Sequence, residues 1–230
     1  MPVGELSGLV LATLFFILVH VVPATPLRAA LVGRIGEGTY SAVFSVISLI
    51  GLVWMVMAFN AAPNGAFLWY NAGPLQYLSI LLMFIALVLG IGGLIGSNPT
   101  SVGGKVPASG EPATGFVRIT RHPFLTSVVI WSLAHLIVRG DLKALIFFGG
   151  LGLLSAAGTQ LIDGRRARSL GAEWDRFAAV TSVVPFLAIL QGRNRLAVAE
   201  LKWWRLAIGI VLFLAILHFH TAIMGVSPLP

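Results

Sequence analysis

The sequence predicts an all-α fold, a polytopic integral membrane bundle of about six transmembrane helices with an amphipathic segment at the membrane surface. The first reason is composition: 57% of the 230 residues are hydrophobic, 10% are charged, and the mean hydropathy is +0.94. A soluble domain carries roughly 25% charged residues. The second reason is a series of apolar runs, each near the ~20 residues that cross a bilayer. The third is an uneven distribution of lysine and arginine among the loops.

The six apolar runs follow one another without an internal repeat, so we interpret residues 1–230 as one transmembrane domain. The first run begins with MPVGELSG, which lacks the positive residues and cleavage site of a signal peptide, and is expected to be retained. Proline, asparagine and glycine clusters separate the runs. The fourth and fifth runs are joined by RGDLK and are expected to form an antiparallel hairpin. The predicted spans are residues 5–25, 41–59, 75–96, 122–138, 143–161 and 203–224.

Basic residues alternate between the two sides of this arrangement. Thirteen of the fifteen lysines and arginines follow the first, third and fifth spans, and the other two, Arg139 and Lys143, follow the fourth. Because basic loops stay in the cytoplasm, both termini are expected outside it, in a protein of the bacterial inner membrane. The net charge of +7 then indicates contact with anionic membrane lipids rather than nucleic acid.

Two stretches lie outside the predicted spans. Residues 97–117 are rich in glycine, proline, serine and threonine and are expected to form a mobile loop. Residues 162–202 combine charged and apolar residues at helical spacing, followed by an apolar run too short to cross the bilayer. This pattern is typical of an amphipathic helix and a segment at the membrane surface.

Histidines are the polar residues of the spans that suggest a site. His20, His135, His218 and His220 lie within predicted spans, where titratable side chains are costly unless they have a partner. One such histidine is explained by a hydrogen bond to a carbonyl group; four suggest a ligand. Apart from Glu5 at the outer edge of the first span, the spans contain no acidic residue or cysteine that would complete a zinc site. A bis-histidine heme needs only one imidazole from each of two helices.

His122 differs from the other histidines because it sits in the RHP sequence that opens the fourth span. His122 and His135 are 13 residues apart, which is roughly 20 Å along a helix, so they cannot bind one metal ion. A helix N-terminus favours an anion, and Arg121 would add charge-assisted hydrogen bonds. We expect the pair to hold a heme propionate or a lipid phosphate; the alternative is an interfacial histidine beside an arginine that reaches towards water.

Several stretches resemble the NnrU family, and in particular its isomerase-like branch related to the 15-cis-zeta-carotene isomerases. They are ILVHVVPATPLRAALVGRIGEGTYSAVFSVISLIGL, GFVRITRHPFLTSVVIWSLAHLIVRGDL, DGRRARSLGAEWDRF and TSVVPFLAILQGR. The resemblance implies heme b, cis–trans isomerisation of a lipid-soluble polyene, and His20 and His135 as the two iron ligands. In a simple six-span topology these two lie about 15 Å apart in depth, so His220 and His218 stay alternatives. No catalytic residue is assigned.

Two other functions remain open at this stage. Members of the NnrU family are named for a role near nitrite and nitric oxide reduction, so the chain is alternatively a non-enzymatic heme-binding membrane protein. The RHP motif, followed by E-x-x-W-D-R-F and VVPF, also resembles the isoprenylcysteine and phospholipid methyltransferases, which use S-adenosylmethionine. Here ATGFVRIT lacks their Gly-Pro-Tyr element, FLTS lacks their following glycine, and RRARSLG lacks their paired acidic residues.

Overall fold

The computed structural model describes residues 3–71, 73–101, 103–108 and 110–230, and most of this chain is helical. Met1 and Pro2 of the predicted 1–230 domain lie outside the described residues. Two strands, β1 (Phe67–Tyr70) and β2 (Arg139–Asp141), interrupt the helices. The helices are α1 (Val3–Val21), α2 (Pro26–Ile35), α3 (Glu37–Ala61), α4 (Pro74–Ile95), α5 (Phe116–Ile119), α6 (Pro123–Val138), α7 (Leu142–Leu170), α8 (Ala172–Val180), α9 (Leu187–Leu190) and α10 (Trp203–Met224).

Five helices in the described part of the chain are long and apolar enough to cross a membrane, as expected of an integral membrane protein. The predicted fourth span is α6, which has only 16 residues and is therefore ~24 Å long, less than the ~30 Å hydrocarbon core. The count of six full-length spans is thus not reached. The five are Leu6–Ala24, Glu37–Ala61, Pro74–Ile95, Leu142–Leu170 and Trp203–Met224.

Helix boundaries follow local chemistry more closely than they follow hydropathy. Pro26, Pro74 and Pro123 each occupy the first turn of a helix, where the missing N–H costs no hydrogen bond. The helix of the predicted fifth span does not end near residue 161 but continues to Leu170, because charged side chains at a helix end reach water without breaking the helix. Gly171, at φ +52°, then ends it in a conformation that favours glycine.

A small antiparallel sheet departs from the all-α prediction. The expected loop between the second and third spans contains β1, which pairs with β2 in the RGD sequence expected to be a simple turn. Trp69 donates its indole N–H to the carbonyl of Leu136 at 2.6 Å, and its ring lies against Gly140, where a side chain would not fit. The aromatic residues of β1 favour a strand once these contacts are available.

Close helix contacts occur at small residues, as is common in membrane bundles. The largest interface is between α4 and α6, and α10 packs on the other side of α4. Gly92 lies so close to the Phe116 ring that a side chain would not fit there, whereas a Cβ added to Gly149 would have no neighbour within 4 Å. Near Gly149, α7 contains a π-helical turn, Leu145–Gly149, in which Phe147 and Phe148 are both buried.

The loops rich in arginine gather at one end of the bundle, which we call the basic end (residues 26–36, 97–121 and 162–202). Here α8 is the predicted amphipathic helix, and it buries Trp174 and Phe177 against Val106 and Val117. Arg176 donates hydrogen bonds to two carbonyl groups of residues 107–108, so the described part of the predicted mobile loop is attached to α8. The apolar run after α8 forms only the short helix α9.

Candidate functional sites

An ion-pair network on Asp163 joins the start of α6 to the end of α7. Arg121 Nη1 donates to Asp163 Oδ2 at 2.5 Å, and His122 Nε2 donates to Oδ1 of the same carboxylate at 2.7 Å. The His122 side chain is fully buried and the Asp163 side chain is 17% exposed. Water is therefore mostly excluded, and this carboxylate neutralises the arginine within the protein.

Arg121 also connects α6 to the segment that follows α8. Its Nε donates to the Thr181 hydroxyl at 3.0 Å, and its Nη2 donates to the carbonyl groups of Ala178 and Thr181 at 3.0 and 3.1 Å. The guanidinium carbon lies 5.7 Å from the centre of the Trp174 ring. The three sequence stretches around RHP, DGRR and TSVV therefore meet in one buried network.

The anion that Arg121 and His122 bind in this structure is thus the carboxylate of Asp163, a side chain of the protein itself. The sequence predicts that Arg121 and His122 act together at the start of the helix, and in the structure both bind one carboxylate. The sequence does not identify that carboxylate as Asp163. Whether the pair also contacts a propionate or a lipid phosphate stays a prediction. His122 Nδ1 is buried without a hydrogen-bond partner among the described residues.

A second ion pair, also at the basic end, ties α5 to the residues just before α10. Arg118 is 2% exposed and donates to both carboxylate oxygens of Glu200, at 2.8 and 2.9 Å, and to Asn194 Oδ1 at 2.6 Å. The backbone N–H of Gly115 donates to the same carboxylate at 2.8 Å. The hydrogen bond from Arg118 holds the pKa of Glu200 below its usual range, although partial burial opposes this.

His135 lies in the last turn of α6 within an aromatic environment. Its ring stacks on Phe148, with centroids 4.3 Å apart and planes 13° apart, and Trp131 is 5.0 Å away. Nδ1 lies 2.8 Å from the Trp131 carbonyl oxygen, which can only accept, so Nδ1 carries the hydrogen. Nε2 is then left with a lone pair, and no described group hydrogen bonds to it.

His20 and His220 repeat this arrangement on other helices. His20 Nδ1 donates to the Phe16 carbonyl at 2.8 Å, and its ring lies 4.2 Å from the Phe16 ring. His220 Nδ1 donates to the Val226 carbonyl at 2.8 Å. A backbone acceptor on one ring nitrogen is the usual companion of a metal-ligating histidine, because it fixes the tautomer that presents the other nitrogen. His218 is exposed and contacts Phe219 edge-on.

The level of His20 along the bundle follows from the contacts of α1 with α7. Both helices begin beside Gly65 and run in the same direction, and Thr13 of α1 packs against Gly150 of α7. His20 lies seven residues beyond Thr13 (20 − 13), so it is ~10 Å nearer to the basic end than Gly150 is.

His135 lies on the opposite side of Gly150, further from the basic end. Ser132 of α6 packs against Gly152, and three residues further on His135 stacks on Phe148. His20 and His135 are therefore separated by roughly 13 Å along the bundle axis. The two histidines that the family resemblance implies as ligands of one iron thus lie at different levels, while the rings that they contact, Phe16 and Phe148, belong to one buried cluster.

His220 is at the level of His135. Gly209 of α10 packs against Val88 of the antiparallel α4, so His220, eleven residues on (220 − 209), is level with the first turns of α4. In those turns the Ser79 hydroxyl donates a hydrogen bond to the carbonyl of Ala134, the neighbour of His135, at 2.7 Å.

A heme iron and a polydentate metal site need different numbers of protein ligands. No group of three or more histidine, cysteine, aspartate or glutamate side chains that would hold a metal ion occurs among the described residues. An iron porphyrin needs only one or two protein ligands. His135 and His220 lie at one level of the apolar bundle, and each has Nδ1 bound to a backbone carbonyl, which leaves Nε2 as the nitrogen that faces a ligand.

The apolar helices and their buried polar contacts define a polytopic helical membrane protein with histidines inside the bundle. Comparison with known proteins identifies the family. The family model described as NnrU protein matches residues 8–228, and the chain belongs to this family.

Two plant proteins are similar to the chain over most of its length. The chloroplastic 15-cis-zeta-carotene isomerase of Zea mays is 31% identical over 199 residues, covering 82% of this chain and 52% of that protein. The enzyme of the same name from Arabidopsis thaliana is 29% identical over 171 residues, covering 70% of this chain and 44% of that protein. The chain thus spans about half the length of these relatives. No solved structure matches it significantly.

Proposed function

We propose that this chain binds heme b inside the membrane through His135 and catalyses the cis–trans isomerisation of a lipid-soluble polyene of the carotenoid type. The observation that carries the cofactor is the shared arrangement of His20, His135 and His220, each with Nδ1–H on a backbone carbonyl. The reaction and the substrate class rest on the distant similarity to the two carotene isomerases.

The second axial ligand is the point on which geometry and resemblance differ. The resemblance implies His20 as the partner of His135, whereas the contacts of α7 and α4 favour His220. A heme iron joins two imidazoles that face each other across its plane, and histidines at one level of the bundle meet this need more directly than a pair separated by ~13 Å along it. We therefore propose His220 as the partner and keep His20 as the alternative that the spectra distinguish.

The chain itself has two tasks in this proposal. The lipid-facing helices expose many large apolar side chains, which suits a long hydrocarbon substrate dissolved in the bilayer. Trp131 and Phe148 hold the His135 ring in place from two sides. When bound, heme would supply a redox-active iron that lowers the bond order of the rotating double bond. No proton transfer is required, so no general acid or base is assigned.

Absorption spectra of the purified protein test the cofactor. Full-length protein expressed with sufficient heme should show a Soret band and a low-spin, six-coordinate spectrum. His135→Ala should lose most of the heme, and His220→Ala should convert the iron to high spin. His218→Ala is the matched control, since it removes an exposed imidazole two residues away. Folded protein that stays colourless with added hemin would contradict the proposal, and a high-spin His20→Ala beside an unchanged His220→Ala would restore His20 as the ligand.

The activity requires a separate experiment. Co-expression with enzymes that accumulate 15-cis-zeta-carotene in the dark, followed by chromatographic analysis of the carotene isomers, should show conversion of the 15-cis double bond to trans. His135→Ala should abolish conversion. If the protein binds heme but no conversion occurs, the non-enzymatic heme protein linked to nitrite and nitric oxide reduction becomes the better explanation.

The predicted anion-binding role of Arg121 and His122 also gives a spectral test. If these residues hold a propionate, His122→Ala should keep the low-spin spectrum at reduced heme occupancy. Because His122 also binds Asp163, occupancy must be compared at matched folded fractions, measured by circular dichroism. A full complement of heme in folded His122→Ala protein would limit the role of His122 to the contact with Asp163.

A further inference from the structure

A second polar region at the basic end is separate from the histidines and from Asp163. A cavity of about 450 Å³ lies between residues 23–26, the first turn of α2 and the last turns of α7. Its charged lining residues are Arg28, Arg165 and Arg168, and no carboxylate lines it within the described chain. The cavity is therefore strongly positive.

The positive charge is only partly balanced. Arg28 pairs with Glu37 at 2.5 Å, and this glutamate is the acidic group that acts on Arg165. Arg165 is half-buried and forms no ion pair in the described part of the chain, while the charge of Arg28 acts on it and on Arg166. Like charges in a partly dehydrated site repel each other, so an anion in the cavity would stabilise the folded chain.

Two hydrogen-bond donors beside the cavity have no partner among the residues that the structure describes. They are Arg28 Nε and the Tyr40 hydroxyl; both atoms are buried, and Tyr40 is 8% exposed. The two residues touch, since the Arg28 guanidinium carbon lies 5.5 Å from the centre of the Tyr40 ring. Unsatisfied buried donors are rare in native proteins and point to a missing acceptor.

We propose that this arginine cavity binds one phosphate-bearing anion, supplied either by the headgroup of an anionic phospholipid or by free inorganic phosphate. Guanidinium groups present parallel N–H donors that match phosphate oxygens, and several arginines are needed to neutralise a phosphate dianion. The cavity begins directly after the apolar helix α1, at the end of the bundle where a lipid headgroup would lie. This assignment does not depend on heme.

Native mass spectrometry of the full-length, delipidated protein in detergent tests the proposal. With equal amounts of phosphatidic acid and phosphatidylcholine, the wild-type protein should retain one phosphatidic acid molecule in preference. Arg165→Gln should weaken that retention about tenfold, the effect of losing one charge-assisted hydrogen bond. Arg34→Gln is the matched control, because Arg34 is exposed on α2, does not line the cavity, and its loss changes the net charge equally.

Inorganic phosphate distinguishes the two sources. If millimolar phosphate displaces phosphatidic acid and alone raises the unfolding temperature, the natural ligand is the free anion; if phosphatidic acid resists displacement, it is the lipid. Arg165→Lys keeps the charge without the planar donors and should retain lipid at an intermediate level, so it replaces Arg165→Gln if that variant does not fold. Wild-type protein that neither prefers phosphatidic acid nor responds to phosphate would overturn the proposal, as would equal losses in the Arg165→Gln and Arg34→Gln variants.

Discussion

The polar side chains of the basic end and the histidines of the apolar helices form hydrogen bonds of two different kinds. At the basic end, Arg121 binds groups 42 to 60 residues away in the chain, and Arg118 binds groups 76 and 82 residues away besides Glu111, seven residues away. The long-range bonds fix one segment against another. His20 and His135 each bind a carbonyl four residues back in the same helix. The first kind holds the tertiary structure together, and the second only orients a ring. Polar groups that support no tertiary contact are the ones available to a ligand.

Replacing Asp163 should give the largest loss of stability. Asp163→Ala leaves Arg121 and His122 without their common acceptor in a mostly buried site, and breaking such a pair costs about 3–5 kcal/mol. The apparent midpoint of thermal unfolding, followed by circular dichroism in one detergent, measures the effect. Asp175→Ala is the control, because it removes an exposed carboxylate with the same change in net charge. Equal midpoints for the two variants would show that the network contributes nothing to stability.

Replacing Glu200 should give a smaller loss. Glu200→Gln keeps one acceptor oxygen but removes the charge that faces Arg118, and a hydrogen bond to a charged group is worth about 1.5–3 kcal/mol. The same unfolding measurement applies, with exposed Glu173→Gln as the control. An unchanged midpoint would mean that Asn194 and Glu111 are sufficient partners for Arg118.

The stabilisation from Glu200 should also depend on pH. Because the pKa of this carboxyl is lowered in the folded protein, chiefly by the hydrogen bond from Arg118, its stabilisation is complete above the unfolded-state value of 4.5. It is lost as the pH falls through the lower folded-state pKa, where the carboxylate is protonated. The difference in midpoint between wild type and Glu200→Gln should therefore be constant from about pH 8 to 5.5 and shrink below about pH 4.5. A difference that grows on acidification would mean that the pKa of Glu200 is raised, not lowered, in the folded protein.

Removing a histidine ligand candidate from the heme-free protein should give the smallest effect. His220 is half-buried and, within the described part of the chain, its side chain hydrogen bonds to Val226 alone, six residues along. His220→Ala should therefore change stability by less than about 1 kcal/mol. The heme-free unfolding midpoint measures this, with His218→Ala beside it. A loss as large as that of Asp163→Ala would show that the comparison between the two regions fails.

The membrane helices were predictable from the sequence because hydropathy over ~20 residues is a strong local signal. The partner of Arg121 was not, because it lies 42 residues away and no spacing rule connects the two. A signal existed: Asp163 follows an apolar run, and a carboxylate in that position needs a partner. The strand β1 was missed for a similar reason. FLWY favours a strand, but RGD, the sequence that pairs with it, carries no strand pattern of its own.

The π-helical turn in α7 sets the phase between the two halves of that helix. Before the turn, Lys143 donates to the carbonyl of Ala62 at 3.0 Å, and after it Asp163 meets His122. Five π-helical residues turn the chain through about the same angle as four α-helical ones, so the turn accommodates one extra residue while both contacts stay in place. Removing a residue elsewhere in α7 would rotate one half against the other by ~100° and break one of the contacts. Insertions and deletions among homologous chains should therefore be absent from this helix outside the π-helical turn and collect in the loops, where a change in length rotates nothing.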